Sequence, residues 1–208
     1  MTTFYVVRHG QTWANRAGKK QGILDTAETT LTPRGMLQAR QLSAAFPVAE
    51  MAGIICSPLQ RARQTAGILN EFAQRPVEIS PEIVELSYGA WNGCMTRDLM
   101  ARYPAAFDAR TQEVTATYTR TVAGESMAAV RQRIQHFVRK TVTARPNDIL
   151  LIVGHGWTVK MLLLLALNGD NGAGMVDPVN ASVTRIEVDP GTLRCYLDYY
   201  NRGLETGF

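Results

Sequence analysis

The stretch FYVVRHGQTWAN, residues 4–15, decides how the chain is read. A run of strand-forming residues, Phe4 to Val7, breaks off at Arg8-His9-Gly10. A buried strand that ends on a cation beside an imidazole puts chemistry at its carboxyl end. That is where open α/β sheets bind their ligands. The pattern recurs in ILLIVGHGW, residues 149–157, where an apolar run meets Gly154-His155-Gly156 and a helical pattern begins. Five consecutive apolar residues suit a central strand covered on both faces.

Working outward, further strands are expected at Gly53–Cys56, Val77–Ile79, Ser182–Val188 and Leu193–Tyr199. Thr32-Pro33 reads as an N-cap with a first-turn proline, opening a helix to about Phe46. Ser57-Pro58 reads the same way for a helix to about Phe72, and Ser126 for an amphipathic helix to about Ala144. Trp157–Leu167 is a short apolar helix, and Asp189-Pro190-Gly191 joins two alternating runs as a hairpin turn. Strands alternating with helices, then a terminal hairpin, predict a three-layer α/β/α sandwich. Its central sheet is mostly parallel with an antiparallel edge. Residues 88–124 depart from this rhythm. They are polar, aromatic and Thr-rich, with one helical pattern near Thr96–Tyr103, and are expected to form a lid-like, substrate-facing insert. No repeat or low-complexity tract divides the 208 residues, so one domain spanning 1–208 is expected.

Composition narrows the function. The net charge is +4, and 18 of the 22 basic residues are arginine. Arginine grips phosphate and carboxylate in a bidentate fork, so anionic ligands fit, although an Arg-rich proteome would give the same count. The arginines are scattered and no nucleic-acid motif occurs, so no nucleic-acid partner is expected. No apolar run is long enough to cross a membrane. MTTFYVV has neither a basic n-region nor a small-residue cleavage site, and a cytoplasmic protein is expected. Cys56, Cys94 and Cys195 are widely spaced and read as incidental thiols. The oligomeric state is not legible and a homodimer stays open.

Two of the three histidines, His9 and His155, end strands and precede a glycine, whereas His136 lies within a helix and reads as structural. Arg8 accompanies the first, and Arg61 in SPLQRA follows the second strand. Arginines would repel a metal cation, so no metal and no cofactor is expected. A phosphoryl group fits better. Two guanidinia and a protonated imidazole would neutralise its oxygens, and the other histidine would attack phosphorus. Gly10 is expected to let a phosphate approach the backbone, and Gly156 to add backbone donors at a helix start.

On RHGQT at 8–12, Asn15, QGILD at 21–25, LTPRG at 31–35, SPLQRARQTA at 57–66, ELSYGAWNG at 85–93, GES at 124–126 and GHG at 154–156, the chain resembles the histidine phosphatase superfamily, with its phosphoglycerate-mutase-like fold. The resemblance implies that His9 is the phosphorylated nucleophile and that Arg8, Arg61 and His155 hold the phosphoryl group, assisted by Asn15. It implies Glu85 as proton donor, with Glu125 or an acid of 98–124 as the alternative. Gln21, Gly22, Gly156, Glu125 and Ser126 would face phosphate or substrate. Many relatives carry Glu where this chain has Gln11 and Asn92, and the loop DTAETTLT is slightly long.

The expected activity is a metal-independent phosphomonoesterase acting on a small phosphorylated metabolite. The alternatives are a 2,3-bisphosphoglycerate-dependent mutase, disfavoured by the compact insert, and a non-catalytic phosphate-binding module. Trp13, Tyr88, Trp91 and Tyr118 are candidates for aromatic walls of the pocket.

Overall fold

The computed structural model describes residues 1–169 and 174–203. Six strands form one sheet: β1 (Thr2–Arg8), β2 (Gly53–Cys56), β3 (Val77–Ile79), β4 (Ile149–Gly154), β5 (Val183–Val188) and β6 (Cys195–Arg202). Their order is β3-β2-β4-β1-β5-β6. β3, β2, β4 and β1 run parallel, and β5 and β6 add the antiparallel edge. The hairpin between β5 and β6 turns at Asp189, whose Oδ1 accepts from the amides of Gly191 and Thr192 at 2.8 and 3.2 Å.

Side-chain alternation along the strands builds the three layers. On one face Phe4, Val6, Leu150 and Ile152 pack with Ile134, Phe137 and Val138 of α5 (Met127–Ala144) and with Leu162 of α6 (Gly156–Leu167). On the other, Val7, Leu151 and Val153 pack with Leu42 of α2 (Pro33–Ala45) and with Ala62, Ala66 and Leu69 of α3 (Gln60–Asn70). Burying each large aliphatic side chain contributes roughly 1.5–3 kcal/mol, so this two-sided core is the main source of stability.

Two helix starts follow the caps read from sequence. Thr32 accepts from the Gly35 amide and Ser126 from the Ala129 amide. The third does not. α3 begins at Gln60, two residues past the expected start, and its first amide donates to Asp25 Oδ1 at 2.9 Å. The Ser57 hydroxyl faces His155 instead.

The 88–124 segment is anchored in the core. Trp91 stacks on Tyr103 and Phe107, and Val114, Tyr118 and Val122 are buried in the same core as α5 and α6. Its helix, α4, spans Thr96–Arg102. Short α1, Trp13–Ala17, follows the RHG turn and carries a reciprocal cap between Thr12 and Asn15.

Candidate active site

Register creates the site. β1 and β4 are parallel neighbours with Arg8 opposite Gly154, so the next residue of each strand, His9 and His155, leaves the sheet side by side. Their ring centres are 5.3 Å apart. His9 is anchored through its own amide to the Gly154 carbonyl at 3.0 Å, and Asn180 Nδ2 donates to the His9 carbonyl at 3.0 Å. Arg61 comes in from the first turn of α3, fully buried. Its Nη2 and Nη1 donate to the carbonyls of Gly22 and Leu24 at 2.7 and 3.0 Å. Gly22 has φ +50°, and a Cβ there would sit 1.8 Å from Asn92 Oδ1, so glycine is required to aim that carbonyl.

A cavity of about 260 Å³ brings together Arg8, His9, Asn15, Gln21, Gly22, Arg61 and Glu85. His155 is fully buried beside His9, with Nε2 2.7 Å from Ser57 Oγ. His155 Nδ1, Arg8 Nε and Arg61 Nε are buried without a hydrogen-bond partner among the described residues. Unpaired buried donors are costly, and here they cluster around one imidazole. Among the described residues no group of three or more His, Cys, Asp or Glu side chains is placed to hold a metal ion.

The hydrogen bonds assign the ring protons. His9 Nδ1 lies 2.8 Å from the Gly10 carbonyl, which can only accept, so Nδ1 carries the proton and Nε2 the lone pair. Burial first, then the charges of Arg61 and Arg8, hold the His9 pKa well below its ordinary value. Burial, Arg61, His9 and Arg8 do the same to His155. The protonated imidazole expected from sequence is disfavoured in the free protein, by burial first and then by the two arginines. Arg61 itself is drawn down by burial to about 10 and remains cationic at neutral pH.

Glu85 titrates in the opposite direction. Its Oε1 accepts from the amides of Leu86 and Trp157 at 2.8 and 3.3 Å, the latter in the first turn of α6. Burial raises its pKa, outweighing those amides and Arg61. A carboxyl group whose proton is held more tightly by burial, beside an imidazole and two guanidinia, can deliver that proton to a leaving oxygen.

Several expected residues serve the scaffold instead. Glu125 does not reach the cavity. It accepts from Arg133 Nε and Nη2 at 2.8 and 3.1 Å and ties α5 to Ser87. Ser126 is the N-cap of α5 and is exposed. At Gly10 a Cβ would lie 2.4 Å from the Gly35 carbonyl, so the glycine permits backbone packing against α2. Gly156 makes room for the Asp177 carboxylate, which a Cβ would meet at 3.3 Å. Of the aromatic candidates only Tyr88 lines the cavity. It accepts from Trp157 Nε1 at 3.0 Å. Trp91 and Tyr118 are core, and Trp13 is exposed under Arg16. His136 is exposed on α5, and burial pushes the Cys56 and Cys195 thiols up to about 12 and 11.

Other residues were not legible. Asp177 pairs with Arg8 at 3.3 Å and with fully buried Lys160. Burial pushes the Asp177 carboxyl up, but Arg8, Lys160 and Lys20 outweigh it and hold it at about 2. Lys20 and Glu113, a 2.9 Å ion pair, also line the cavity. These residues are far apart in sequence, and only the fold juxtaposes them. Thr65 had a signal in SPLQRARQTA: its Oγ1 accepts from the Gly10 amide at 3.0 Å and donates to the Arg61 carbonyl at 2.8 Å.

Comparison with known proteins agrees with this geometry. Residues 4–200 match the family model described as histidine phosphatase superfamily (branch 1). The chain is 30% identical over 159 residues to the adenosylcobalamin/alpha-ribazole phosphatase of Escherichia coli strain K12, covering 76% of each chain. It is 31% identical over 215 residues to the glucosyl-3-phosphoglycerate phosphatase of Mycolicibacterium vanbaalenii, covering 94% of this chain and 92% of the relative. Among solved structures, a mycobacterial glucosyl-3-phosphoglycerate phosphatase complexed with VO3 superposes with a TM-score of 0.81 at 26% identity, covering 97% of this chain and 99% of the other.

Proposed function

The chain belongs to branch 1 of the histidine phosphatase superfamily and is a phosphatase of small phosphorylated metabolites, and from that premise we propose that it works through a phosphohistidine on His9. The observation that carries this reading is the His9–His155 pair, 5.3 Å between ring centres, with Arg8 and Arg61 at the same cavity.

The His9 Nε2 lone pair attacks phosphorus while the bond to the leaving oxygen breaks. Glu85, whose Oε1 is occupied by two amides, delivers its proton from Oε2 to that oxygen. Arg8 and Arg61 neutralise the phosphoryl oxygens. Ser57 Oγ accepts from the Leu59 amide and is free to donate to His155 Nε2. That leaves the proton of neutral His155 on Nδ1, a donor for the phosphoryl group. Asn15 is held by Thr12 and Asn180, and Gln21 by Thr12, so both present fixed amides to the cavity. In the second half a water attacks the phosphohistidine and the P–N bond breaks. Glu85 takes up the water proton, and inorganic phosphate leaves.

The substrate is a phosphomonoester small enough for the cavity, and an α-ribazole phosphate is the type suggested by the Escherichia coli relative. The scheme needs no metal, no cofactor and no second copy, because every residue invoked comes from this chain. We treat residues 1–208 as one domain and infer a cytoplasmic setting, in keeping with three unpaired thiols. Hydrolysis of p-nitrophenyl phosphate in excess EDTA by wild type and His9→Ala tests the reading. Wild-type turnover and its loss in the variant are expected. EDTA inactivation would overturn the metal-free scheme.

A further inference from the structure

A second set of charges borders the cavity and has no task in holding a phosphoryl group. Lys20, just before Gln21, and Glu113, from the 88–124 segment, are both buried and both line the cavity. Lys20 Nζ donates to Glu113 Oε1 at 2.9 Å and lies 3.4 Å from the Gln112 carbonyl. Its ammonium also sits over the rings of Tyr88 and Phe107, 5.6 and 5.9 Å from their centres. Glu113 Oε2 is buried and accepts no hydrogen bond among the described residues. Lys160 Nζ ion-pairs with it at 3.8 Å, too long for a hydrogen bond. Lys160 is itself paired with Asp177, which also holds Arg8.

A buried ion pair is expensive to desolvate and is weak evidence of a stabilising role. A cavity wall that needed only shape would be apolar. We infer that Glu113 is a specificity-determining residue that favours phosphoesters with a neutral, hydroxyl-bearing leaving group and disfavours those bearing a carboxylate. The inference rests on the phosphatase reading above. Lys20 is paired with Glu113, and Lys160 with the Asp177 that also holds Arg8, so an entering carboxylate meets no uncommitted ammonium at this wall. It meets the Glu113 carboxylate instead, and like charges repel strongly where water is scarce. A hydroxyl has the donor that Oε2 lacks. Thr96, Thr111 and Gln112 add uncharged polar groups to the same cavity, and Lys19, which also lines it, is paired with Glu28.

Glycerol 1-phosphate and 3-phosphoglycerate differ only in a terminal hydroxymethyl against a carboxylate, and they isolate this effect. Wild type should favour glycerol 1-phosphate in kcat/KM. Glu113→Gln removes the charge at nearly constant shape and frees Lys20. The preference should then move toward 3-phosphoglycerate by about tenfold or more. p-Nitrophenyl phosphate, with an uncharged leaving group lacking such hydroxyls, serves as the reference. A wild type that favours 3-phosphoglycerate overturns the inference, even if the variant fails to fold. So does an unmoved ratio in a Glu113→Gln enzyme that still turns over p-nitrophenyl phosphate, and both results leave the phosphatase reading standing. No wild-type turnover of p-nitrophenyl phosphate overturns the phosphatase reading instead.

Discussion

Ser57 Oγ stands 2.7 Å from His155 Nε2, and both residues are completely buried. The serine that looks like a helix cap is the group that orients the second histidine. Ser57→Ala leaves His155 Nε2 without that partner. The expected cost is about 1–3 kcal/mol of stability. Turnover of p-nitrophenyl phosphate should fall about tenfold through a misoriented imidazole. Thermal melts and steady-state kinetics measure the two effects, and Ser57→Thr, which retains the hydroxyl, should recover part of the kcat.

Glu85→Gln separates substrates by leaving group. An alkyl phosphate needs its departing oxygen protonated, so kcat/KM should fall about 10²–10⁴-fold. p-Nitrophenyl phosphate has a stable leaving anion and should suffer less. Because burial raises the Glu85 pKa, the protonated form is lost as pH rises through that raised value. Wild-type alkyl phosphatase activity should fall there, and stability should decline from the ordinary Glu value of about 4.3 up to that raised pKa, because the folded state keeps a proton that the unfolded chain has released. The variant should lack both effects. An alkaline limb unchanged in Glu85→Gln would assign it to another group.

The depressed His9 pKa has the opposite sign. Below the ordinary histidine value of about 6.5 the unfolded chain takes up a proton that folded His9 refuses. Stability should therefore fall as pH drops below that value, until the folded pKa is reached. The His9 contribution is up to about 1.4 kcal/mol per pH unit. Because Glu85 and His155 also titrate, the quantity to measure is the difference between wild type and His9→Asn in denaturant melts. Identical pH slopes would mean that folding does not lower the His9 pKa.

Two glycines should respond in opposite ways to alanine. Gly10→Ala drives a Cβ to 2.4 Å from the Gly35 carbonyl and should cost several kcal/mol, on the order of an overpacked core or more. Gly67 is exposed in α3, and a methyl added there would meet nothing within 4 Å, so Gly67→Ala should stabilise by about 0.5–1 kcal/mol. Chemical denaturation of the two variants measures both. A tolerated Gly10→Ala would mean that the β1 turn and α2 can move apart.

Much of this was legible because local chemistry marks it. Apolar runs gave the strands, Thr32 and Ser126 gave two helix starts, and the strand-end histidines gave the site. Ser57 misleads because the same hydroxyl that suits an N-cap also suits a buried imidazole, and sequence does not say which partner is nearer. Gly10 is ambiguous for a related reason: a glycine signals close approach without saying to what, and a Cβ there would meet the Gly35 carbonyl. Glu125 carries the charge of a catalytic acid, but Arg133, two turns along α5, claims it. Asp177, Lys160, Lys20 and Glu113 carry no local signal. Their meaning arises only when the tertiary fold brings Asp177, Lys20 and Glu113 to one cavity with Lys160 buried behind them.

The central claim is the covalent bond between His9 Nε2 and phosphorus. Wild-type enzyme mixed with p-nitrophenyl phosphate in excess EDTA, quenched at short times under alkaline conditions and analysed by intact mass and peptide mapping, tests it directly. The account predicts one added phosphoryl group on the peptide containing His9, stable to alkali, labile to acid and absent in His9→Ala. Turnover with no such adduct, or an adduct on another residue, would contradict it.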